Sequence, residues 1–431
     1  MKDQNFKNIQ NAQDQHQVWK GLDFEARQLY FSRLATLLLD KKEDLGLIIT
    51  EEMNKPISQS VSEIEKCAGL CLYYAKAENV LAVETVETQF EISEVHHEAL
   101  GVILGVMPWN YPFWQVLRFA VPTLLAGNAV VMKHASNCLR SGDAIQNLFE
   151  EAGFPIGLFQ HLRLGHEEVE ELIAHPIIKA VSLTGSEAAG RKIAEIAGRN
   201  LKKCVLELGG NDAFIILADA DLQLAAKNAA TARLQNCGQT CVSGKRFIIH
   251  QEVYEAFLHL FVDEYKKFVP TNAFDRETKL SKMSRADLAV ELNNQYQTAL
   301  DHGAEIILPL EQKDDLTFIP GLLKMNVHNP ISDQELFGPL GMVFCVKSDE
   351  EALEVANNTS FGLANAVFTQ DRKKAFYFAN NLESGSVAIN QLFKSDVRLP
   401  FNGRKNSGYG IELSTKALFE FTAIKTIIGK V

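Results

Sequence analysis

Short apolar runs that alternate with helix-like segments restrict the fold of this chain more than any other feature. Beyond residue 100 the runs cover 101–107, 129–133, 159–164, 177–183 and 203–208. Continuous apolar runs of this length indicate strands that are buried on both faces, and the segments between most of them suit crossover helices. The pattern predicts an α/β fold built around a parallel sheet.

The same alternation resumes near Ala213 and indicates a second α/β domain. Its apolar runs include 245–249, 342–346, 363–368 and 385–390, with amphipathic segments such as 253–268 between them. The first eighty residues are helical in pattern, because Phe31, Leu34 and Leu38 share one helical face. A period of two at 86–92 predicts a half-exposed strand there.

Composition and charge exclude several classes of protein. The 431 residues are 46% hydrophobic and 23% charged, as expected for a globular chain of enzyme size. The net charge of −11, without a basic tract, argues against nucleic-acid binding. Prolines and polar residues interrupt the most apolar stretch, 99–132, so no run reaches the roughly 18 residues of a membrane span. The polar start of the chain resembles neither a signal nor a transit peptide, and we expect a cytoplasmic protein.

The seven cysteines indicate neither a disulfide framework nor a zinc site, because no CxxC pair occurs among them. We therefore expect no metal, and mostly buried, reduced thiols. Cys241 differs from the others, because small, flexible and hydroxyl-bearing residues surround it in 236–244. Cys237 lies four residues earlier, and packing is a better interpretation of it than reversible oxidation together with Cys241.

Five motifs occur in a consistent order over nearly the whole chain. They are Pro108-Trp-Asn-Tyr-Pro112, Leu206-Glu-Leu-Gly-Gly-Asn211, Asn236-Cys-Gly-Gln-Thr-Cys-Val-Ser-Gly244, Glu335-Leu-Phe-Gly-Pro339 and Leu399-Pro-Phe-Asn-Gly-Arg-Lys-Asn-Ser-Gly408. Together they resemble the aldehyde dehydrogenase superfamily. The resemblance implies a Rossmann-like cofactor domain, an α/β catalytic domain and a small β element for oligomerisation.

This resemblance also implies domain boundaries. The expected NAD(P)-binding domain comprises 1–84 and 100–209, the catalytic domain 210–410, and the oligomerisation element 85–99 with 411–431. Exposed edge strands favour pairing with another chain, so we expect a homodimer or a homotetramer.

Three catalytic residues follow from the resemblance. Cys241 matches the nucleophile, whose thiolate adds to an aldehyde carbonyl and creates an oxyanion that needs preorganised donors. The Asn110 side-chain amide and the Cys241 backbone N–H match these donors. Glu207 matches the general base that activates water to hydrolyse the resulting thioester.

The cofactor implied by the resemblance is NAD(P). A strand, a glycine turn and a helix start follow one another in 181–190, and such a helix N-terminus can bind a phosphate. The implied cofactor contacts are Trp109, Lys133, Ser136, Thr184, Gly185, Ser186, Leu208, Glu335 and Phe337. A common Lys-Pro-Ser-Glu string of the family is Lys133-His-Ala-Ser136 here, so no carboxylate repels a 2′-phosphate and NADP should at least be tolerated.

The expected substrate is a short aldehyde that carries a carboxylate, most simply succinate semialdehyde. Arg118 lies among aromatic residues, where an unpaired guanidinium would be costly and a substrate carboxylate is a natural partner. The surrounding sequence resembles the succinate-semialdehyde dehydrogenase branch and adds Trp114 and Ser395 as substrate contacts. An internal salt bridge is the alternative for Arg118.

Three other functions stay open at this level. The substrate could be glutarate semialdehyde or another small aldehyde. A CoA-acylating dehydrogenase would not need Glu207, and a catalytically silent binding or structural homologue would need none of the three catalytic residues. The presence of Cys241, Glu207 and Asn110 together favours hydrolytic oxidation of an aldehyde.

Overall fold

The apolar runs predicted as strands are strands in a computed structural model, which describes residues 3–430. The strands are β1 (Glu84–Thr85), β2 (Ile92–Ala99), β3 (Val102–Val106), β4 (Ala129–Lys133), β5 (Phe159–His161), β6 (Ile178–Thr184), β7 (Lys203–Glu207), β8 (Ala213–Ile216), β9 (Arg246–His250), β10 (Glu305–Leu308), β11 (Glu311–Gln312), β12 (Phe318–Ile319), β13 (Gly321–Lys324), β14 (Leu340–Val346), β15 (Phe361–Gly362), β16 (Ala364–Phe368), β17 (Ser386–Ile389), β18 (Arg404–Lys405), β19 (Gly408–Tyr409) and β20 (Thr422–Gly429). Each predicted run overlaps one of them, which confirms the α/β fold.

Helices fill the segments between the strands and most of the amino-terminal region. They are α1 (Asp3–Trp19), α2 (Phe24–Asp40), α3 (Lys42–Met53), α4 (Ile57–Tyr74), α5 (Trp114–Leu125), α6 (Leu139–Glu151), α7 (His166–Ala174), α8 (Glu187–Arg199), α9 (Leu222–Leu234), α10 (Tyr254–Tyr265), α11 (Ala286–Asp301), α12 (Asp349–Asn357) and α13 (Arg372–Asn381). Within residues 3–430, none of the helices is long and apolar enough to cross a membrane.

The first large sheet has the strand order β19-β7-β6-β3-β4-β5. β19 is antiparallel to β7, and the other neighbours are parallel. The chain passes from β3 to β4 and β5 on one side, and then returns to β6 and β7 on the other side of β3. The order therefore reverses between β3 and β6, and open α/β sheets bind ligands beyond the carboxyl ends of their strands at such a point.

The second large sheet has the order β10-β13-β14-β9-β8-β16-β17, with β10 antiparallel and the other strands parallel. Successive side chains of a strand point to opposite faces. Ile215 and Ile248 accordingly pack in one hydrophobic cluster, whereas Phe214 and Phe247 pack in another. Both faces are covered, which explains why the sequence of this sheet is continuously apolar.

A separate antiparallel sheet consists of β1, β2 and β20. β2 pairs with β20 from Ile92 to Ala99, over its whole length. The isoleucines at 424, 427 and 428 of β20 are exposed. This sheet joins residues of the expected oligomerisation element from two distant parts of the chain.

The strand predicted at 86–92 is wrong in its position. The long strand of this region begins at Ile92, where the predicted one ends. Thr88 is the physical reason, since its hydroxyl oxygen accepts a hydrogen bond of 3.1 Å from the Phe90 N–H and closes a local turn.

Helices α4 and α5 bring the amino-terminal region to the first large sheet. The inner face of α4 buries Ile64, Cys67 and Cys71 completely, which confirms packing as the role of these two cysteines. Every residue of α5 is buried. Because α5 follows directly after β3 and its connecting loop, the side chains at its start lie near the carboxyl end of that strand.

Candidate active site

Four predicted site residues lie at the carboxyl ends of neighbouring strands. Asn110 follows β3, Lys133 ends β4, Thr184 ends β6 and Glu207 ends β7. Parallel neighbours end at the same edge of a sheet, so these residues lie along one edge although they are far apart in sequence. A cleft of about 1090 Å³ opens at this edge, lined by Asn110, Lys133, Thr184 and Cys241, whereas Glu207 is not part of its lining.

All nine residues predicted to bind the cofactor line this cleft. They are Trp109, Lys133, Ser136, Thr184, Gly185, Ser186, Leu208, Glu335 and Phe337. Thr184 Oγ1 is buried and has no hydrogen-bond partner among the described residues. Ser186 caps the start of α8 by accepting the Ala189 N–H, and the other unpaired amides of this helix end can bind a phosphate.

The surroundings of Lys133 fit a 2′-phosphate. Lys133 Nζ donates a hydrogen bond of 3.3 Å to the His134 carbonyl, and no carboxylate of the described residues pairs with it. Burial lowers the pKa of Lys133. Ser136 lines the same cleft without adding a negative charge. The donor set therefore fits NADP, and nothing in it excludes NAD.

Glu335 is connected to the candidate nucleophile through Lys245. Glu335 Oε1 accepts the Gly210 N–H at 3.1 Å and lies 3.1 Å from Lys245 Nζ. Lys245 Nζ also donates to the carbonyl oxygens of Cys241, at 2.6 Å, and Thr240, at 3.0 Å. The buried ammonium of Lys245 thus links Glu335, a predicted cofactor contact, to the loop that contains Cys241. The sequence does not single out Lys245, because a lysine at the start of a strand is usually solvated.

The loop before Cys241 has a costly backbone conformation. Asn236, Cys237 and Gly238 have φ values of 53°, 55° and 73°. Such left-handed conformations persist in non-glycine residues only where the surroundings support them. Arg233, fully buried, supplies this support, since its Nη2 donates to the carbonyl oxygens of Gly238 at 2.6 Å and Gly338 at 2.7 Å.

The Cys241 thiol is half-buried at the side of the cleft. Burial raises the pKa of Cys241 to about 12, and the positive charges of Lys245 and Arg118 oppose this effect. The thiol is therefore protonated at neutral pH and needs a base. A negative charge on Glu207 raises the pKa of the Cys241 thiol further.

Asn110 is held in place by two hydrogen bonds, one from its side-chain amide and one to its backbone carbonyl. Its Nδ2 donates to the Gln239 carbonyl at 3.0 Å, and its own carbonyl accepts from Asn236 Nδ2 at 2.9 Å. An amide nitrogen has two N–H groups, so one of them stays available for an oxyanion at the cleft.

Glu207 is 2% exposed, and neither of its carboxylate oxygens has a hydrogen-bond partner among the described residues. Burial, followed by the negative charge of Glu412, raises the pKa of Glu207, and Arg118 acts in the opposite direction. A buried carboxyl group with a raised pKa and unpartnered oxygens is a candidate for proton transfer.

Arg118 differs from the prediction. Its buried guanidinium forms an ion pair with Glu412 and lies 4.8 Å from the ring centroid of Phe401. A carboxylate from the carboxyl-terminal part of the chain thus lies beside the guanidinium, whose buried Nη2 has no hydrogen-bond partner among the described residues. The internal salt bridge, which was the alternative, is present, and direct contact of Arg118 with a substrate stays a prediction.

Trp114 and Ser395 are brought together, but not at the cofactor cleft. Lys66 of α4 connects them, since its Nζ donates to Ser395 Oγ at 2.7 Å and lies 3.9 Å from the Trp114 ring centroid. Lys66 is not among the residues that the sequence predicts. A lysine on an amphipathic helix is usually solvated, and no local signal distinguishes this one.

A buried ion pair that the sequence also does not reveal supports Asn110. Lys55 Nζ lies 2.5 Å from Glu63 Oε2, and both side chains are almost fully buried. Glu63 Oε1 accepts the backbone N–H groups of Phe113 and Trp114, each at 2.9 Å, at the start of α5. Lys55 Nζ also lies 3.5 Å from the Asn110 carbonyl oxygen. The pair fixes the segment between β3 and α5.

Cys237 packs in a hydrophobic cluster on one face of the second large sheet, and burial raises its pKa to about 12. All seven cysteines are free thiols. A redox role of Cys237 stays untested. Across residues 3–430, no group of three or more His, Cys, Asp or Glu side chains is arranged to hold a metal ion.

Comparisons with known proteins agree with this geometry. The model of the aldehyde dehydrogenase family matches residues 2–427. A succinate-semialdehyde dehydrogenase [NADP(+)] of Deinococcus radiodurans is 38% identical, over 97% of this chain and 89% of that protein. A succinate semialdehyde dehydrogenase [NAD(P)+] of Escherichia coli is 39% identical, over 95% of this chain and 89% of that protein.

A solved structure extends the similarity to three dimensions. The succinic semialdehyde dehydrogenase of Streptococcus pyogenes, in complex with NADP+, matches with a TM-score of 0.96 and 37% identity. The match covers 100% of this chain and 96% of that one. An indole-3-acetaldehyde dehydrogenase complexed with NAD+ matches with a TM-score of 0.95 and 30% identity, over 98% of this chain and 88% of that one.

Proposed function

Since this chain belongs to the aldehyde dehydrogenase family, we propose that it oxidises succinate semialdehyde to succinate with NADP or NAD as the electron acceptor. One observation carries the proposal. Cys241, Asn110 and all nine candidate cofactor contacts border a single cleft. The sequence and structural similarity to succinate-semialdehyde dehydrogenases supports the substrate.

The first half of the reaction forms a thioester. Cys241 loses its proton to a base, for which Glu207 is the candidate, and the thiolate adds to the aldehyde carbon. The carbonyl electron pair moves to the oxygen, where the Asn110 amide and the Cys241 backbone N–H stabilise it. Each such donor contributes about 2.7–4 kcal/mol to the transition state. Hydride acceptance from the thiohemiacetal carbon is the chemistry that a bound nicotinamide supplies, and it leaves a thioester on Cys241.

The second half of the reaction hydrolyses this thioester. After the proton taken from Cys241 has passed to solvent, Glu207 takes a proton from water and the hydroxide adds to the thioester carbonyl. The carbonyl re-forms, the sulfur leaves as the thiolate, and the proton on Glu207 restores the Cys241 thiol. The acid product is released. Glu207 suits this step because both its oxygens are unpartnered among the described residues and its pKa is raised by burial.

The lining of the cleft assigns the parts of the cofactor to this chain's residues. The amides at the start of α8, with Gly185 and Ser186, would bind the pyrophosphate, and Lys133 with Ser136 would bind the ribose that carries the 2′-phosphate. Glu335 would bind the nicotinamide ribose. Phe337, in edge contact with Trp109 at 5.8 Å, would pack beside it.

Assembly, location and domain boundaries are part of the same proposal. The exposed isoleucines of β20 support pairing with a second copy, as a homodimer or homotetramer. Seven free thiols, including the required one at Cys241, support a reducing, cytoplasmic location.

The division of the strands among the three larger sheets supports the proposed domain boundaries, apart from β19 and the short β1. These boundaries are 1–84 with 100–209, 210–410, and 85–99 with 411–431.

Steady-state kinetics test the proposal. The absorbance of the reduced nicotinamide is followed with succinate semialdehyde and with butanal, a neutral aldehyde of equal length, using NADP and NAD in turn. We expect turnover with succinate semialdehyde and a higher kcat/KM than with butanal. Failure to reduce either coenzyme with succinate semialdehyde would overturn the proposed substrate.

Glutarate semialdehyde is the second candidate substrate. It has the same two functional groups and one more methylene, and a single methylene changes binding by only about 1–3 kcal/mol. A comparison of kcat/KM for the four-carbon and five-carbon semialdehydes distinguishes them. CoA-dependent release is tested by adding CoA, and we expect no dependence on it because Glu207 is present.

A further inference from the structure

Lys245 is a fully buried lysine whose ammonium contacts two parts of the site at once. Its Nζ donates to the carbonyl oxygens of Thr240 at 3.0 Å and Cys241 at 2.6 Å. It also lies 3.1 Å from Glu335 Oε1. An ammonium has three N–H groups, so these three acceptors occupy all of them. Burying a charge costs several kcal/mol before such partners repay it, and no step of the proposed reaction uses Lys245.

The peptide that joins Thr240 to Cys241 has its two polar groups in opposite situations. Its carbonyl oxygen accepts Lys245 Nζ and also the Ser243 N–H, at 3.3 Å. Its N–H, which belongs to Cys241, has no hydrogen-bond acceptor among residues 3–430. In a planar trans peptide the C=O and the N–H point in opposite directions. Lys245 therefore holds the carbonyl on its own side and directs the Cys241 N–H away from itself.

The peptide that follows Cys241 is fixed as well. Its carbonyl oxygen accepts the shorter of the two Lys245 bonds and packs closely against Gly210, where a Cβ would lie 2.6 Å from this oxygen. The Gly210 N–H in turn donates to Glu335 Oε1 at 3.1 Å. Lys245, Gly210 and Glu335 thus hold the backbone on both sides of the nucleophile.

The charge of Lys245 adds to this geometry. A hydrogen bond from an ammonium to a peptide carbonyl polarises the peptide and makes its N–H a stronger donor. Burial raises the pKa of Cys241 to about 12, and Lys245 is the strongest of the charges that oppose this effect. Both effects favour negative charge at the nucleophile and at the oxygen that its attack creates.

We propose that Lys245 is a positioning residue of the oxyanion site, which fixes and polarises the Thr240–Cys241 peptide so that its N–H is ready for the oxyanion. The inference rests on the proposed function and deepens it, since there the oxyanion is stabilised by this N–H and by the Asn110 amide. The two donors have separate supports. Asn110 donates to the Gln239 carbonyl, whereas the Cys241 peptide is held by a lysine just before β9.

The test uses trifluoroacetone with the coenzyme-free enzyme. The thiol sulfur adds to the ketone carbon, the carbonyl electron pair moves to the oxygen, and the thiol proton completes a hemithioketal that fluorine NMR detects. Lys245→Met should raise the dissociation constant of this adduct about tenfold or more, because an oxyanion donor is misplaced. The adduct signal is identified by its absence in Cys241→Ala.

Lys202→Met is the matched control. Lys202 Nζ also donates to two carbonyl oxygens, those of Ile173 and His175, but Lys202 precedes β7 and lies at the opposite edge of the sheet from the cleft. Its replacement should leave the dissociation constant of the adduct unchanged. The melting temperature of each variant is measured in parallel.

The ionisation of the adduct separates oxyanion stabilisation from a structural role. A directed N–H favours the ionised oxygen, so the fluorine shift should titrate about one pH unit or more higher in Lys245→Met than in the wild type. Arg118, Glu335 and Glu207, the other charged groups that act on the sulfur, are unchanged in the variant. Lys245→Gln keeps an N–H donor without the charge and should give an intermediate value, and it serves as the test if Lys245→Met does not fold.

The outcomes distinguish this inference from the proposed function. Wild-type affinity and ionisation of the adduct in both variants would overturn the role of Lys245 while Cys241 remained the nucleophile. Less adduct with an unchanged ionisation would show a merely structural role and would overturn it as well. A wild type that forms no adduct through Cys241 would instead contradict the proposed function itself.

Discussion

The two sides of Cys241 are built in different ways. On the cofactor side, most of the candidate residues lie at or just beyond the ends of neighbouring strands, and all nine predicted contacts line the cleft. On the other side, Trp114 and Arg118 lie on a buried helix, and their partners Lys66 and Glu412 come from distant parts of the chain.

The difference lies in what positions a side chain. The backbone of a parallel sheet brings strand ends to one edge, so a residue's place in the sequence predicts its place in the site. A long side chain on a helix can turn towards several neighbours, and only the packed structure decides which one it contacts. The cofactor side was therefore predictable, whereas the partner of Arg118 was not.

The largest expected effect concerns Cys241, where the two sides meet. Cys241→Ala should lower dehydrogenase turnover by about 10⁴-fold or more, because the covalent route is lost. NADP binding, measured by fluorescence titration, should persist. Cys345→Ser, which alters an exposed thiol, is the control and should keep full activity. Substantial turnover in Cys241→Ala would contradict the covalent mechanism.

A smaller loss is expected for Glu207, which is buried at the end of β7. Glu207→Gln should lower steady-state turnover by about 10²–10⁴-fold, as for other general bases. If Glu207 serves hydrolysis, rapid mixing should still show a burst of reduced nicotinamide before the slow phase. Loss of the burst together with turnover would show that its principal task is to deprotonate Cys241.

The pH profile sharpens the same prediction. Burial and Glu412 raise the pKa of Glu207, so its base form accumulates only as the pH rises. Hydrolysis-limited kcat should therefore increase with pH in the wild type. This increase of kcat with pH should be missing in Glu207→Gln.

The oxyanion donor should have an effect of about 10²–10³-fold. Asn110→Ala removes one donor, which should lower kcat by this factor. It also removes the hydrogen bond to the Gln239 carbonyl, so thermal unfolding is measured in parallel. Asn110→Asp is the comparison of equal size, and a kcat that stays normal in both variants would contradict the assignment.

A change on the cofactor side alone should have a still smaller effect. Ser136→Glu adds a carboxylate to the cleft that contains Lys133, and it should raise the KM for NADP about tenfold through repulsion of the 2′-phosphate. The KM for NAD should change much less. Equal changes for both coenzymes would place the 2′-phosphate elsewhere.

The smallest expected effect is on stability and involves His134, which is buried just after β4. Its Nε2 donates to the Pro112 carbonyl at 2.9 Å, and its Nδ1 accepts the Ala135 N–H at 2.8 Å, so the neutral ring satisfies both partners. Burial lowers the pKa of His134 from 6.5 to about 3. The unfolded chain binds this proton more readily, so the stabilisation is present above pH 6.5 and is lost as the pH falls towards 3.

When the pH is lowered from 7 to 5, the melting temperature of His134→Gln should therefore fall less than that of the wild type. The comparison is made by differential scanning fluorimetry at matched ionic strength. Parallel pH curves for the two proteins would show that His134 does not titrate as its buried environment requires.

The sequence also predicted most of the fold, and its one misplaced strand has a local cause. Apolar runs at 101–107 and 342–346 mark strands covered on both faces, and their short length distinguishes them from a fully buried helix such as α5. At 86–92 an alternating pattern was misleading, because the Thr88 hydroxyl closes a turn instead of leaving the backbone extended. The sequence did not predict the role of Lys245 or the ion pair between Lys55 and Glu63, since a charged residue that becomes buried cannot be distinguished in a sequence from one that stays solvated.

The residue types and their order in the chain were sufficient to predict the α/β architecture, and the resemblance of the motifs to a known family supplied the candidate nucleophile, base, oxyanion donor and dinucleotide contacts. Tertiary packing alone decided that Arg118 pairs with Glu412 and that Lys66 lies between Trp114 and Ser395. The spacing of apolar side chains can be read along the chain, and it predicts the strands and helices and therefore the edge at which parallel strands end. The partner of a buried charge depends on which carboxylate folding brings within reach, and that is settled only in three dimensions.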